Sequence, residues 1–354
     1  MDTITHALSG MLLARATKTN PVKPEYSDSK TLSLQARLWA GFFAAAFPDI
    51  DIVASFFGTM TYLDMHRGIT HSVIMLPLWA FVLAFLFAKI SRNYYHWKAF
   101  YAISFLGIAL HIAGDVITAY GTMLLAPLSI MKFAWPTTFI IDFYFSGIIL
   151  LSIILFVYFK KQGKHIAISG LVILSVYVMF QALLNQQATA IAQQYAQENK
   201  LTGYTVAAMP QPLSPFHWKV VIKANEKYVI TYMNLIGNKQ TKAGKDAGMF
   251  EKINALYQPV EKLHWMEVKQ YGDEAPLLAK KIWSLPIMQS VRNFMLYPSV
   301  NQLDVKSDKT CIWFTDHRFV LDGIRRSPFV FGACDSGDKQ WKLYRVSNDK
   351  VVLQ

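Results

Sequence analysis

The sequence predicts a polytopic α-helical membrane domain followed by a soluble, β-rich α+β domain. Three observations predict it. Hydrophobic residues make up 53% of the 354-residue chain and charged ones only 16%. With a positive mean hydropathy, that balance requires long apolar segments. The apolar runs of the first half are each near the roughly 20 residues that cross about 30 Å of hydrocarbon. From about residue 200 the runs shorten, alternate, and are punctuated by proline and glycine, as strands and turns are.

Four segments read as spans, about 38–57, 73–90, 99–119 and 139–159, and a fifth, about 166–184, stays apolar until Gln181. The opening stretch, about 3–16, is shorter, which makes about five spans plus a short N-terminal helix. Met1-Asp2-Thr3 has no basic character and His6 interrupts the apolar run, so no cleaved signal peptide is expected. Arg15, Lys18, Lys23, Lys30 and Arg37 crowd the first connection. Lys89, Arg92 and Lys98 mark a second basic link, and Lys160, Lys161 and Lys164 a third. The alternate connections hold only Arg67 and Lys132. The positive-inside rule places the basic links in the cytoplasm and everything after residue 184 in the periplasm. The expectation is a multi-pass inner-membrane protein with a periplasmic C-terminal domain. The formal charge of +12 is spread along these flanks, not gathered in a patch, so nucleic acid is not an expected partner. The lipid bilayer is, and protein partners stay unknown.

The expected organisation is a membrane-embedded domain over 1–185, a linker helix over 186–202 and a periplasmic α+β domain over 203–354. In the last, 219–223 and 227–232 read as strands around a turn at Asn225-Glu226. Segments 311–315, 329–331 and 341–346 read as further strands, and about 276–296 as a helix. Both cysteines, Cys311 and Cys334, fall here. An oxidising periplasm permits a disulfide between them, and two buried free thiols are the alternative.

Ionisable groups inside apolar spans cost several kcal/mol unless paired, buried against protein or bound to metal. This chain has a set of them: His6, Asp49 and Asp51 in Phe47-Pro-Asp-Ile-Asp51, and His66 and His71 in His66-Arg-Gly-Ile-Thr-His71. His111 and Asp115 follow, and then Asp142. His111 and Asp115 are four apart, so both project from one helix face. Pro48 predicts a break that turns Asp49 and Asp51 inward. Arg67 is suited to pairing with a carboxylate or holding an anionic substrate oxygen. In the assigned orientation all eight acids and histidines fall toward the periplasmic side. A single intramembrane histidine or aspartate is more often a helix–helix hydrogen bond, but eight at one depth read as a site. Histidine and aspartate without cysteine suit zinc, manganese or iron(II), and the donors are numerous enough for more than one ion.

Taken together, Thr5-His6, Pro48-Asp49-Ile-Asp51, His66-Arg67-Gly68-x-x-His71-Ser72, His111-x-x-x-Asp115 and Tyr120-Gly-Thr-x-x-Leu-x-x-Pro127 resemble the YdjM-like inner-membrane metal-dependent hydrolases. Ile140-Ile-Asp142 fits the same pattern, as do Pro212-Leu-x-Pro-Phe-x-Trp218 and Phe314-Thr-Asp-x-Arg-Phe319 more loosely. Phe143 stands where the pattern expects proline and His317 where it expects leucine. The resemblance is strongest over about 1–145 and implies metal binding more directly than it implies a reaction.

The functional expectation is therefore a metal-dependent hydrolase. His6, Asp49, Asp51, His66, His71, His111, Asp115 and Asp142 are its candidate ligands, and Asp49, Asp51 and Arg67 its candidate catalytic groups. A phosphoester or phospholipid-like substrate is expected, because lipid can enter laterally and Arg67 can meet phosphate. The alternatives are a metal or proton transporter, whose ligands would be distributed across the membrane depth, and a non-catalytic assembly protein with a structural metal.

Overall fold

A computed structural model describes residues 1–18, 31–238, 243–244, 246–306, 309–321, 327–335, 340–347 and 350–354. The chain divides into two compact units, Met1–Val53 with Met65–Ala182, and Ala54–Asp64 with Leu183–Gln354.

The first unit is helical. Asp2 caps α1 (Thr3–Ala16) by accepting from the Thr5 backbone N–H, and Ser33 caps α2 (Leu34–Ala46) in the same way through Ala36. The two helices cross at glycines: a Cβ on Gly10 would sit 2.2 Å from the Gly41 carbonyl oxygen, and one on Gly41 would meet the Gly10 oxygen at 2.5 Å. Such small-residue crossings let backbones approach inside a membrane, where no hydrophobic force drives helices together. Arg37 ties the same pair, donating from Nε to Ala14 O and from Nη2 to Thr17 O, at 3.0 Å each. Those carbonyls are orphans of the α1 C-terminus.

Next come a 3-10 segment, Phe47–Phe57, which passes out of the first unit after Val53, and α3 (Thr59–Met65), which belongs to the second unit as far as Asp64. The prolyl ring of Pro48 cannot donate, and the α2 ladder gives way at this point. The next two helices are α4 (Leu76–Ile90) and α5 (Trp97–Val116). After an irregular stretch come α6 (Phe143–Tyr158) and α7 (Gly163–Glu198). The irregular stretch satisfies its own backbone, since Thr122 and Phe133 exchange hydrogen bonds and Thr137 and Thr138 both donate to Ile117 O. Outward faces are apolar: Leu78, Val82 and Phe85 on α4, Leu151 and Ile154 on α6, and Val172 and Val176 on α7. Exposed apolar faces of this extent suit contact with lipid or with another protein surface.

Among the described residues, three helical segments are long and apolar enough to cross a membrane: Leu34–Phe57, Trp97–Val116 and Gly163–Glu198. A fourth crossing arises if Thr59–His71 and Leu76–Ile90 act as one bent span. The expected count of five is not confirmed by helix length alone. The 15 residues of α4 and 16 of α6 rise only about 22–24 Å at 1.5 Å per residue, short of the bilayer core. The last of the long helices, α7, continues without a break from the fifth apolar segment to Glu198.

The second unit is β-rich. Its strands are β1 (Tyr204–Pro210), β2 (His217–Ala224), β3 (Lys227–Asn234), β4 (Gln258–Pro259) and β5 (Met266–Lys269) in one sheet. The other holds β6 (Pro298–Lys306), β7 (Lys309–Asp316), β8 (Val330–Asp335), β9 (Trp341–Ser347) and β10 (Lys350–Leu353). The first sheet runs β1-β2-β3-β4 with β5 also on β3, and the second is a meander, β10-β9-β8-β7-β6. Ala188, Ala192 and Ala196, four apart on α7, pack on Trp218, Val220 and Ile222, the alternate residues of β2. Three short helices, α8 (Met249–Leu256), α9 (Pro276–Ser284) and α10 (Gln289–Phe294), complete the unit. The last two take the place of the single helix expected over 276–296, which breaks at Leu285-Pro286. Cys311 and Cys334, directly opposed across β7 and β8, form a disulfide.

Candidate metal centre

The site lies at one end of the first unit's helices. His6 is in the first turn of α1, Asp49 and Asp51 follow α2, and His111 and Asp115 fall in the last turns of α5. His66, Arg67 and His71 come from a tight turn in which Arg67 adopts left-handed backbone, φ 57°. The next residue, Gly68, leaves no room for a Cβ, which would lie 2.7 Å from Met65 O. The turn directs the Arg67 backbone N–H onto Asp51 Oδ2 at 2.9 Å.

Four residues bring ligand atoms within 4.8 Å of one another: Asp49, His71, His111 and Asp115. His71 Nε2 stands 3.0 Å from His111 Nε2, 3.2 Å from Asp115 Oδ2 and 3.7 Å from Asp49 Oδ1. His111 Nε2 is 3.5 Å from both carboxylates. Ligands bound tetrahedrally at 2.0–2.1 Å lie about 3.3 Å apart, so these separations bracket the edges of a coordination shell. His111 Nδ1 donates to Ala45 O at 2.6 Å. A carbonyl can only accept, so this bond puts the ring proton on Nδ1 and leaves the Nε2 lone pair facing the group. On His71, Thr70 Oγ1 stands 3.0 Å and Asp51 Oδ2 3.5 Å from Nδ1, again leaving Nε2 toward the site. Asp115 Oδ2 is buried without a hydrogen-bond donor, a costly state for a carboxylate oxygen unless a cation serves it. The residues present fit a divalent metal ion.

A second layer surrounds the four. Asp115 Oδ1 receives His6 Nε2 at 3.0 Å, Arg67 Nη2 at 2.9 Å and the Met1 amine at 2.5 Å. The His6 ring stacks on that of His111 with centroids 3.7 Å apart. Asp51 is held by His66 Nδ1 at 3.0 Å as well as by the Arg67 N–H. Arg67 also donates to Thr118 Oγ1 at 2.9 Å and lies over the Tyr120 ring, 4.7 Å from its centroid. Thr3 donates to Asp49 Oδ2 at 2.6 Å. The side chains of His71, His111 and Asp115 are at most 1% exposed, whereas those of Asp49 and His66 are 15% exposed. The opening of the site is therefore on the Asp49 and His66 side.

Of the eight expected ligands, four form the compact group, and His6, Asp51 and His66 stand against it. Asp142 is not brought there. It caps α6 through Phe145 N–H at 2.9 Å and accepts from Tyr177 Oη at 2.8 Å. Arg67 sits beside the group, 2% exposed. Sequence reading did not single out Thr3, Thr70, Thr118 or the Ala45 carbonyl. Tyr120 appeared only within the family motif.

A family model described as YdjM inner membrane protein matches residues 1–188, the stretch that contains every residue of the site. The chain belongs to the YdjM inner membrane protein family. A relative from Bacillus subtilis (strain 168), "Uncharacterized protein YfhP", is 29% identical over 132 residues, 36% of this chain and 38% of that protein. The alignment thus spans well under half the length of that relative. No solved structure matches this YdjM-family chain.

Proposed function

We propose that this protein is a membrane-embedded metal-dependent hydrolase acting on a phosphoester or phospholipid-like substrate at the periplasmic face of the inner membrane. The observation that carries the reading is the buried two-histidine, two-aspartate group with a guanidinium, Arg67, 2.9 Å from one of its carboxylates. Zinc is the first choice of ion, with manganese or iron(II) also compatible with the donors. The Asp51–His66 pair beside His71 is a partial ligand set for a second ion. A bound divalent ion supplies Lewis acidity and a water whose pKa falls to about 7. His111, held in one tautomer by Ala45 O, and His71, held in place through Thr70, point their Nε2 atoms at the group without rearrangement. With His71, His111 and Asp115 as the protein ligands, Asp49, the more accessible of the two carboxylates, is left to take a proton through Oδ1 as general base, with Thr3 fixing Oδ2. Asp51 is committed to His66 and the Arg67 N–H and acts by holding the turn. Arg67, 2% exposed and paired with Asp115, acts in this reading by balancing that carboxylate beside the ion, and meets an anionic substrate oxygen only where the pair opens toward the site.

The orientation belongs to the same proposal. The basic residues on alternate connections support a periplasmic C-terminal domain, and the Cys311–Cys334 bridge suits an oxidising compartment. In this reading α4 and α6 complete five crossings and α1 is half-inserted. The periplasmic domain serves as a lid, substrate-binding or partner module.

One observation favours a second reading, a non-catalytic assembly protein. Four protein donors are enough to close a tetrahedral zinc shell. The test is turnover by the detergent-purified, metal-loaded protein on bis-(p-nitrophenyl) phosphate and on phosphatidylglycerol. Hydrolysis that stops on chelation and falls about 100-fold or more in Asp49→Asn supports the hydrolase. Stoichiometric metal with no turnover on either substrate replaces it with the structural-metal reading.

A further inference from the structure

At the opposite end of the same helices from the metal centre lies a feature that the hydrolase reading does not use. The C-terminus of α1 and the first half of α7 enclose an apolar groove of about 380 Å³, walled by Ala16, Ile168, Leu171, Val172 and Val176. Its two hydroxyls are turned away into their own helices. Thr17 Oγ1 donates to Leu13 O at 2.8 Å and Ser175 Oγ to Leu171 O at 2.9 Å. The groove therefore offers mainly hydrocarbon contact, its hydroxyls being engaged by their own helices and, at Thr17, by Arg37 Nη2 at 2.8 Å as well. Val172 and Val176 are more than half exposed, so the groove is open along its side.

Its upper end is different. Lys164 is four residues before Ile168 and eight before Val172, on the same stripe of α7. Lys160 and Lys161 occupy the turn before α7, and Lys18 follows Thr17 at the end of α1. Arg15, 7% exposed, pins that turn to α1 by donating to Lys160 O at 3.0 Å. Gly163 makes the contact possible, because a Cβ there would come within 2.4 Å of the Arg15 guanidinium. The bridge holds the basic turn against the C-terminal turn of α1, whose Ala16 and Thr17 line the groove. An apolar slot running into the membrane from a cluster of lysines at its surface matches an amphiphile with an anionic head.

We propose that this groove is a binding site for an anionic phospholipid, with one acyl chain along Ile168, Val172 and Val176 and the headgroup phosphate among Lys161, Lys164 and Lys18. The lipid belongs to the leaflet at this end of the helices, and the site is independent of the metal and of any turnover. Basic pockets between membrane helices recognise headgroups through charge, with each lysine near the surface contributing, while the chain contact adds little selectivity in a bilayer. Charge type is therefore what the site selects, and the groove sets where the lipid is held.

The experiment is native mass spectrometry of the delipidated full chain in detergent, titrated with phosphatidylglycerol and, separately, phosphatidylcholine. Wild type is expected to retain phosphatidylglycerol preferentially. Lys161→Gln/Lys164→Gln, which alters only exposed side chains, is expected to weaken that retention about tenfold or more. Ile168→Phe and Val172→Trp, which fill the groove, are expected to weaken retention of both lipids. Leu151→Trp, on the outward face of α6, is expected to change neither. Equal retention of the two lipids by wild type, or unchanged retention in the lysine double variant, overturns the anionic site. A dimer peak that disappears in Ile168→Phe overturns it too, by showing that a second copy of the chain covers the groove.

Discussion

His111 does three things at once. Its Nδ1 proton is committed to Ala45 O, its Nε2 faces His71, and its ring carries the stacked His6. The spacing of His111 and Asp115 announced the pair, because residues four apart share a helix face. Asp142 looked equivalent in the sequence, an aspartate at the edge of an apolar run. It serves instead as an N-cap, a role a carboxylate fills without any ligand. The threonines that orient the site left no signal, since a hydroxyl in an apolar helix more often bonds its own backbone. Arg67 gives the residue-scale prediction. Its guanidinium neutralises the buried Asp115 carboxylate, and removing one partner of a buried pair leaves the other uncompensated. Arg67→Ala is expected to lower stability by about 3–5 kcal/mol in metal-free protein. Excess zinc, supplying positive charge at the same carboxylate, should restore part of the loss. Thermal unfolding in detergent with and without zinc measures both.

Among the elements, the α1–α2 crossing is the most exacting. Gly10 and Gly41 face each other too closely for any side chain, while Gly147 on α6 has open space around it. Gly10→Leu is therefore expected to abolish the folded monomeric peak in size-exclusion chromatography, whereas Gly147→Leu leaves it in place. Overpacking alone costs about 1–3 kcal/mol, and here the clash is with backbone. The apolar runs of the first half were legible because the bilayer demands them, but their number as full crossings was not. A hydropathy run does not show where 3-10 or irregular backbone replaces helix, as it does after Phe47 and after Val116. In the second unit the hairpin of β2 and β3 was legible from its alternation. By contrast, β1 was hidden in a proline-rich stretch, and Pro286 split the expected 276–296 helix. His217, at the start of β2, stacks on Tyr257 with centroids 4.1 Å apart, and burial lowers its pKa from 6.5 to about 4. Between those values the unfolded chain binds the extra proton and the folded one does not. Its contribution is thus fully present above pH 6.5 and lost as pH falls toward 4. Denaturant titrations across that range should show a shallower pH dependence in His217→Gln.

For the molecule as a whole, the two-part organisation follows from solvent. One unit turns apolar side chains outward, and the other closes two sheets around apolar strands and a disulfide. The composition shift near residue 200 made this readable. The fifth apolar segment and the linker helix expected over 186–202 are one continuous helix, α7, which contributes residues to both units. If the second unit is periplasmic, Cys311 and Cys334 should resist maleimide labelling in intact spheroplasts until a reductant is added. A cysteine introduced at Lys161 should label only after the membrane is permeabilised. Labelling of the Lys161 position from outside would reverse the orientation.

The central claim is that the buried histidines and aspartates hold metal. Its most direct test is metal content, by inductively coupled plasma mass spectrometry, of the detergent-purified protein beside His111→Ala and Asp115→Ala. Near-stoichiometric zinc, manganese or iron in wild type, lost in both variants, is the predicted result. Wild-type protein that carries no metal even after reconstitution would contradict it, and would return these residues to helix packing or proton handling.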